Sequence, residues 1–255
     1  MIKVVFFDID GTLMVDKQVP KSAYQAMDRL KEHGILPVLA TGRSEYEIRS
    51  LREELGIDWA LTCNGAHVGH QGRTVRGKEL PRERVAQWME RLQDGHSLLL
   101  YGAERFYSTN PSCPHFLRAR EEIGFMEPLP VTSAAELPSV HQAILFCPEE
   151  DEAHYIGDHL EELSLHRWRT WAVDINPHGM NKSVGIALLL DHLGLTTEAA
   201  AAFGDGKNDL EMIQYVGTGI AMGNACPELL AVASHTTRHA REDGILHGVE
   251  TLILK

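Results

Sequence analysis

No apolar run in this 255-residue sequence approaches the roughly 18 residues needed to cross a bilayer, so no membrane is expected among its partners. Nor is there a Lys/Arg-rich tract. Lys and Arg number 24 against 36 Asp and Glu, a formal net charge of -12, and binding a nucleic-acid backbone needs a basic face; nucleic acid is therefore not expected as a partner either. Cysteine is scarce. Cys63, Cys113, Cys147 and Cys226 form no C-x-x-C pair and stand in mostly apolar settings, which reads as reduced core thiols and a cytoplasmic location. The N-terminus has no basic segment followed by an apolar stretch and a small-residue cleavage site, so no secretory leader is expected. Internal repeats and low-complexity tracts are also missing. The remaining composition, 44% hydrophobic and 24% charged, suits a soluble globular protein with a sizeable core. An acidic chain of this kind that handles phosphates must gather positive charge locally, from a metal or a few basic side chains.

The most informative segment is Asp8-Ile9-Asp10-Gly11-Thr12, directly behind the apolar run Val4-Val5-Phe6-Phe7. Strand alternation returns i and i+2 to one face, so Asp8 and Asp10 are expected to share a cavity, with Gly11 and Thr12 turning the chain away. Clustered carboxylates are costly to desolvate and are normally paired or bound to metal. An Asx-capped turn is the plainer reading of Asp-Gly. It loses force once the later acids are counted.

Periodicity and punctuation predict a strand over 2–7, a helix over 22–33 between Pro20 and Gly34, a strand over 35–40, a helix opened by 41–44 and ending near Gly56, and a strand over 59–63. That alternation is the mark of an α/β fold, a doubly wound parallel sheet covered on both faces. Residues 67–76 look hairpin-like, and from Pro81 helices alternate with short strands, among them 98–101, 106–107, 143–146 and 171–175. This middle block reads as an inserted α+β domain. Trp88, Met89 and Leu92 form the packed face of one of its helices. Helix-strand alternation resumes after Lys182, with a helix over 183–193, strands over 200–203 and 216–220, a helix over 227–233 and another from about Asp243.

Ligands of such sheets sit beyond the carboxyl ends of the strands. Asp8/Asp10, Thr41, Lys182 and Asp205/Asn208/Asp209 all fall at such ends or at the start of a following helix. Clustered acids suit a hard divalent cation such as Mg²⁺, and a lysine with a hydroxyl suits phosphoryl oxygens. Among the 14 histidines, His235 and His239 are four apart but lack the Glu of H-E-x-x-H, so they read as surface or pairing residues.

Five blocks in order, D-I-D-G-T at 8–12, A-T-G-R at 40–43, T-C-N-G-A at 62–66, Lys182 within N-P-H-G-M-N-K and G-D-G-K-N-D at 204–209, make the chain resemble the haloacid dehalogenase superfamily, specifically its Cof-type branch with a large cap. The resemblance covers almost the whole length. It implies a Rossmann-like hydrolase core over 1–80 plus 181–255 and a cap domain over 81–180 that closes over the substrate. It further implies that Asp8 is the nucleophile, that Asp10 is the general acid and base, and that Thr41 and Lys182 hold the phosphoryl group. Mg²⁺ would be bound by Asp8, the Asp10 main-chain carbonyl and Asp205, supported by Asn208 and Asp209. Gly42, Arg43, Asn64, Gly65 and Asn181 would face the substrate. For several of these the residues themselves leave alternatives: Thr41 as a helix cap, Arg43 paired with Glu45 or Glu47, Asn64 as a left-handed turn residue and Asn181 as a solvated loop residue.

The implied activity is Mg²⁺-dependent hydrolysis of small phosphomonoesters, sugar phosphates foremost, by a monomer or small homo-oligomer whose partner is a small phosphorylated metabolite. Two alternatives share the motifs. A phosphosugar mutase would use the same Asp8 and Asp10, whereas a response-regulator-like phospho-acceptor would lack the acid at position 10. One departure from the family pattern is Gly206, where many relatives carry Ser. No substrate code is readable in the cap.

Overall fold

The computed structural model describes residues 1–157 and 160–255. They form two compact units, the first comprising Met1–Gly42, Arg49–Arg76 and Asn181–Lys255 and the second Arg43–Ile48 and Gly77–Met180.

In the first unit the parallel strands are β1 (Val4–Phe7), β2 (Leu36–Ala40) and β3 (Trp59–Thr62), continued antiparallel by β4 (His67–His70) and β5 (Arg73–Gly77). The sequence expects the last two as a hairpin. They turn on Gln71 and Gly72, both at positive φ, the conformation that matches the twist of paired strands. Later in the chain, β12 (Ala200–Gly204), β13 (Thr218–Ala221) and β14 (His235–Thr236) complete the sheet in the order β14-β13-β12-β1-β2-β3-β4-β5. β1 lies at its centre, hydrogen-bonded in parallel to β2 and to β12 across 196 residues of sequence, Val4 opposite Ala200.

Every residue of β1 is buried, as an apolar strand covered on both faces requires. One face carries Val4, Phe6, Val38, Ala40, Leu61, Ala200 and Ala202. It packs against α6 (Lys182–Leu193), α7 (Leu210–Tyr215) and α8 (Pro227–Val232) through Ile186, Leu189, Met212, Ile213 and Leu229. Phe7 and Phe203, opposite one another in the register, stack at 5.2 Å. α1 (Lys21–Glu32) lies against β2 and against α9 (Gly244–Gly248).

The second unit has a sheet of order β10-β11-β9-β6-β7-β8, built from β6 (Ser97–Gly102), β7 (Phe106–Ser108), β8 (Leu129–Pro130), β9 (Val140–Phe146), β10 (Leu163–Arg169) and β11 (Ala172–Pro177). α3 (Arg82–Glu90) and α5 (Glu152–Ile156) bury Val85, Trp88, Tyr155 and Ile156 against Leu98, Leu100, Leu145 and Val173. Of the expected helix face, Trp88 and Met89 lie on α3 while Leu92 falls just past its end and still packs against the same core; the Trp88 indole N–H donates to the Tyr155 carbonyl. α4 (Pro114–Ile123) sets Phe116 edge-on to Phe146. Among the described residues, no helix is long and apolar enough to cross a membrane.

Candidate active site

β1 stops at Phe7, so Asp8 and Asp10 lie on the loop beyond it, and strand alternation does not govern them. The loop is tight. The Asp8 amide donates to the Phe203 carbonyl at 3.0 Å, Gly11 N to Met14 O at 2.9 Å and Met14 N to Ile9 O at 2.7 Å. The outcome is two unlike carboxylates, Asp8 buried and Asp10 exposed.

Lys182 is the first residue of α6 and fully buried. Its Nζ donates at 2.6 Å to Asp8 Oδ1 and at 2.6 Å to Asp209 Oδ1. The other Asp209 oxygen accepts the main-chain N–H groups of Asp205 and Gly206, both at 2.9 Å. Asp209 thus spends its carboxylate on holding the loop and the lysine. Asp205 is less enclosed; its Oδ1 accepts the Thr12 hydroxyl at 2.7 Å. The Asn224 amide reaches Gly11 O at 2.8 Å and stands 3.4 Å from Asp205 Oδ2. Two glycines leave room for these carboxylates. A Cβ at Gly11 would lie 2.2 Å from Asp205 Oδ2, and one at Gly204 would lie 2.7 Å from the Asp209 carboxyl.

Burial pushes the Asp8 carboxyl up to about 8, against the pull of Lys182 and with a further push from Asp209. Asp205 is raised to about 6, again by burial first, with the Thr12 hydroxyl opposing. Lys182 moves upward too: burial disfavours its charge, but the Asp209 and Asp8 carboxylates outweigh that cost and keep it a cation.

Asp8, Asp205 and Asp209 each offer an oxygen within 4.8 Å of the others, a group that can hold a metal ion. The donor set is all oxygen, as a hard divalent cation prefers. Asp8 gives one oxygen to Lys182, and the Asp205 carboxyl occupies the space that a Cβ at Gly11 would fill, so both acids are held at the same spot with neutral or single-sided partners. These residues therefore fit Mg²⁺.

Thr41 is buried where β2 ends, its N–H on Leu61 O at 2.9 Å and its carbonyl accepting Asn64 N at 3.1 Å. It does not cap α2 (Glu45–Glu54). Ser44 does, exchanging bonds with Glu47 in a capping box. Asn64 has φ 52, the left-handed turn conformation, and the Gly42 Cα faces its amide; a Cβ at Gly42 would meet Asn64 Oδ1 at 3.2 Å. Gly65 and Gly185 meet backbone to backbone, a Cβ at Gly185 falling 2.7 Å from Gly65 Cα. That close approach sets the start of α6 against the turn after β3. Asn181 caps α6, its Oδ1 accepting Val184 N at 3.1 Å and the Ser183 hydroxyl at 2.7 Å. Asn208 is exposed. Arg43 falls within the second unit.

Two residues of the site, Asn224 and Thr12, carry side-chain contacts that sequence reasoning misses. Within D-I-D-G-T, Thr12 reads only as a turn residue. Asn224 follows a glycine just beyond β13, and the rule that ligands gather at carboxyl ends of strands is the signal that could have drawn attention to it.

Residues 5–249 match the family model described as haloacid dehalogenase-like hydrolase. YkrA of Bacillus subtilis (strain 168), a phosphatase by provisional name, is 34% identical over 252 residues, spanning 98% of this chain and 97% of its own. The HMP-PP phosphatase of Citrobacter koseri is 30% identical over 259 residues, 97% of this chain and 94% of that protein. Among solved structures, the haloacid dehalogenase subclass IIB sugar phosphatase BT4131 matches with a TM-score of 0.80 at 26% identity, covering 97% of this chain and 98% of that one.

Proposed function

The chain belongs to the haloacid dehalogenase-like hydrolases and is a phosphatase, and from that premise we propose that it hydrolyses small phosphomonoesters, sugar phosphates foremost, through a phosphorylated Asp8. The observation that carries this reading is the pair of 2.6 Å bonds from the buried Lys182 to Asp8 and Asp209, with Asp205 beside them.

A lysine bonded to one oxygen of Asp8 fixes the carboxyl and leaves the other oxygen for phosphorus. As the new O–P bond forms, the ester P–O bond opposite breaks, and the departing alkoxide takes a proton from Asp10. Asp10 then accepts a proton from water, which attacks the phosphorus of the Asp8 acyl phosphate, freeing phosphate and restoring the carboxylate. Having given up its proton in the first step, Asp10 is the base that the second step needs. Lys182 carries three N–H donors and gives two to carboxylates, so one is left for a phosphoryl oxygen. Thr41, pinned at the end of β2, supports the same oxygens. Asp8, the Asp10 carbonyl and Asp205 would hold Mg²⁺, which when bound supplies the positive charge that lets an anionic nucleophile meet an anionic phosphate.

The sugar phosphatase among the relatives supports the leaving-group class, and the HMP-PP phosphatase makes that diphosphate the first competitor to assay. The test is phosphate release with Mg²⁺ from a panel of sugar phosphates, nucleotides, pyridoxal phosphate, flavin mononucleotide and HMP-PP, ranked by kcat/KM. The sugar phosphates should lead. Asp8→Asn should lower kcat by about 10⁴-fold or more; turnover persisting in pure Asp8→Asn protein would remove Asp8 from the role of nucleophile.

A further inference from the structure

Asn224 sits in the turn after β13, half-buried, and its side chain does not serve its own turn. An asparagine that only shapes a Gly-Asn turn bonds to backbone a residue or two away. This one reaches across 213 residues to Gly11 O at 2.8 Å, places the same amide nitrogen 3.4 Å from Asp205 Oδ2, and with Oδ1 accepts Ala240 N at 2.9 Å. The orientation of the amide is fixed by its partners, since a carbonyl needs a donor and an N–H needs an acceptor. A carboxamide carries the donor and the acceptor on separate atoms of one short side chain, which lets it bridge the two partners.

The three partners belong to three loops at the carboxyl end of the sheet. Gly11 follows Asp10 at φ 85, so restraining the Gly11 carbonyl restrains the turn that carries the acid/base residue. Asp205 has Thr12 on one oxygen and Asn224 near the other, two neutral donors on opposite sides of one carboxylate. Such donors orient a carboxylate without neutralising it, as groups behind metal ligands do. The backbone adds to the tie, for Cys226 N donates to Asp205 O at 2.9 Å and Gly223 N to Arg238 O at 3.0 Å. Ala240 N thereby ends the chain of contacts rather than starting it, because the segment it belongs to is already held by Gly223.

We propose that Asn224 is a positioning residue of the phosphatase site, holding Asp205 and the Gly11 turn in the arrangement that receives a divalent cation. The inference rests on Asp205 being a cation ligand, as proposed above. Its contribution passes through Asp205 and Gly11, so it is visible in cation affinity more than in the chemical step.

Mn²⁺ binding to metal-free protein, followed by electron paramagnetic resonance, reads this without turnover. Asn224→Ala is expected to weaken Mn²⁺ binding by about 10–100-fold, the usual effect of losing a group behind a ligand. The Mg²⁺ concentration for half-maximal kcat should shift by the same factor, with kcat at saturating Mg²⁺ falling less than tenfold. Thr12→Val, which removes the other donor, should act in the same direction. Arg241→Ala, which breaks the exposed pair with Asp16 in the neighbouring segment, should leave Mn²⁺ binding within twofold of the parent. Asp205→Asn separates the two readings. If it binds Mn²⁺ normally, the cation assignment fails; if it loses Mn²⁺ while Asn224→Ala binds within threefold of the parent, the role given to Asn224 fails alone. Should Asn224→Ala not fold, Asn224→Ser is read by the same criteria, because a hydroxyl cannot span Gly11 O and Ala240 N. Failure of both to fold while Asp205→Asn folds would make Asn224 a structural residue and overturn the proposal.

Discussion

Lys182 is the residue on which the site's electrostatics turn, a cation with no solvent exposure bonded to two carboxylates. Replacing it with Met removes the buried cation from Asp209, and from Asp8 whenever that acid is ionised. Breaking a buried ion pair from one side typically costs about 3–5 kcal/mol, and Lys182→Met should lose stability of that order in urea unfolding as well as turnover. A loss below about 1 kcal/mol would mean that water or protonation already relieves the acids. Residue by residue, the legibility of this site is uneven. Asp8 and Asp205 stand at strand ends, though the loop of Asp205 alone reads as a polar loop with a helix cap and gains meaning only when paired with the acids after the first strand. Lys182 has no such support, and only the resemblance picks it out, since one lysine among turn formers has no periodic signature. Thr12 and Asn224 act through side-chain bonds spanning 193 and 213 positions, and nothing local in a sequence encodes such a bond.

Among the elements, α6 is positioned by the absence of side chains. Gly65 and Gly185 touch through their backbones, and Asn181 fixes where the helix starts. In Gly185→Ala the new Cβ would stand 2.7 Å from Gly65 Cα, so one of the two segments must move. A displacement of about 1 Å at a catalytic group can cost about 100-fold, and kcat should fall by about 10–100-fold, with far-UV circular dichroism unchanged. Unaltered kcat would show that the turn after β3 absorbs the shift. The strands and helices of the first unit are legible because apolar runs there are short, clean and punctuated by Gly and Pro. β10 and α4 do not stand out in the same way. The strand reads LSLHRWR and the helix PHFLRAREEI, sequences rich in charge whose apolar positions find partners only in the folded sheet. The strand expected over 216–220 begins later, at Thr218, because Val216 ends the preceding helix with its N–H on Met212 O.

For the molecule as a whole, the raised carboxyls make stability depend on pH in an unusual direction. Asp8 and Asp205 have folded-state values of about 8 and about 6, above the ordinary carboxylate value of about 4. In metal-free protein their contribution is therefore fully present below about pH 4 and is lost as pH rises through about 6 for Asp205 and about 8 for Asp8. A cation needs the same groups ionised, so its binding releases protons and strengthens as pH rises. Added Mg²⁺ should raise the Tm more at pH 8 than at pH 6, measured by scanning fluorimetry against an EDTA control; an equal or smaller rise at pH 8 would contradict the assignment.

The pairing of β1 with β12 also imposes an order on synthesis. Val4 is made 196 residues before its neighbour Ala200, roughly 10–40 s earlier at about 5–20 residues per second. Through that interval the flank of Val4-Val5-Phe6-Phe7 destined for β12 has no strand beside it, while β2 can already cover the other. Such a nascent chain presents an apolar strand edge to its surroundings, a natural target for chaperones. A polypeptide released before that point would contain Asp8 and Asp10 but lack Asp205 and Asp209, and one released before residue 182 would lack the lysine as well. Chains that stop there carry β1 with one edge uncovered, the kind of feature that invites edge-to-edge aggregation.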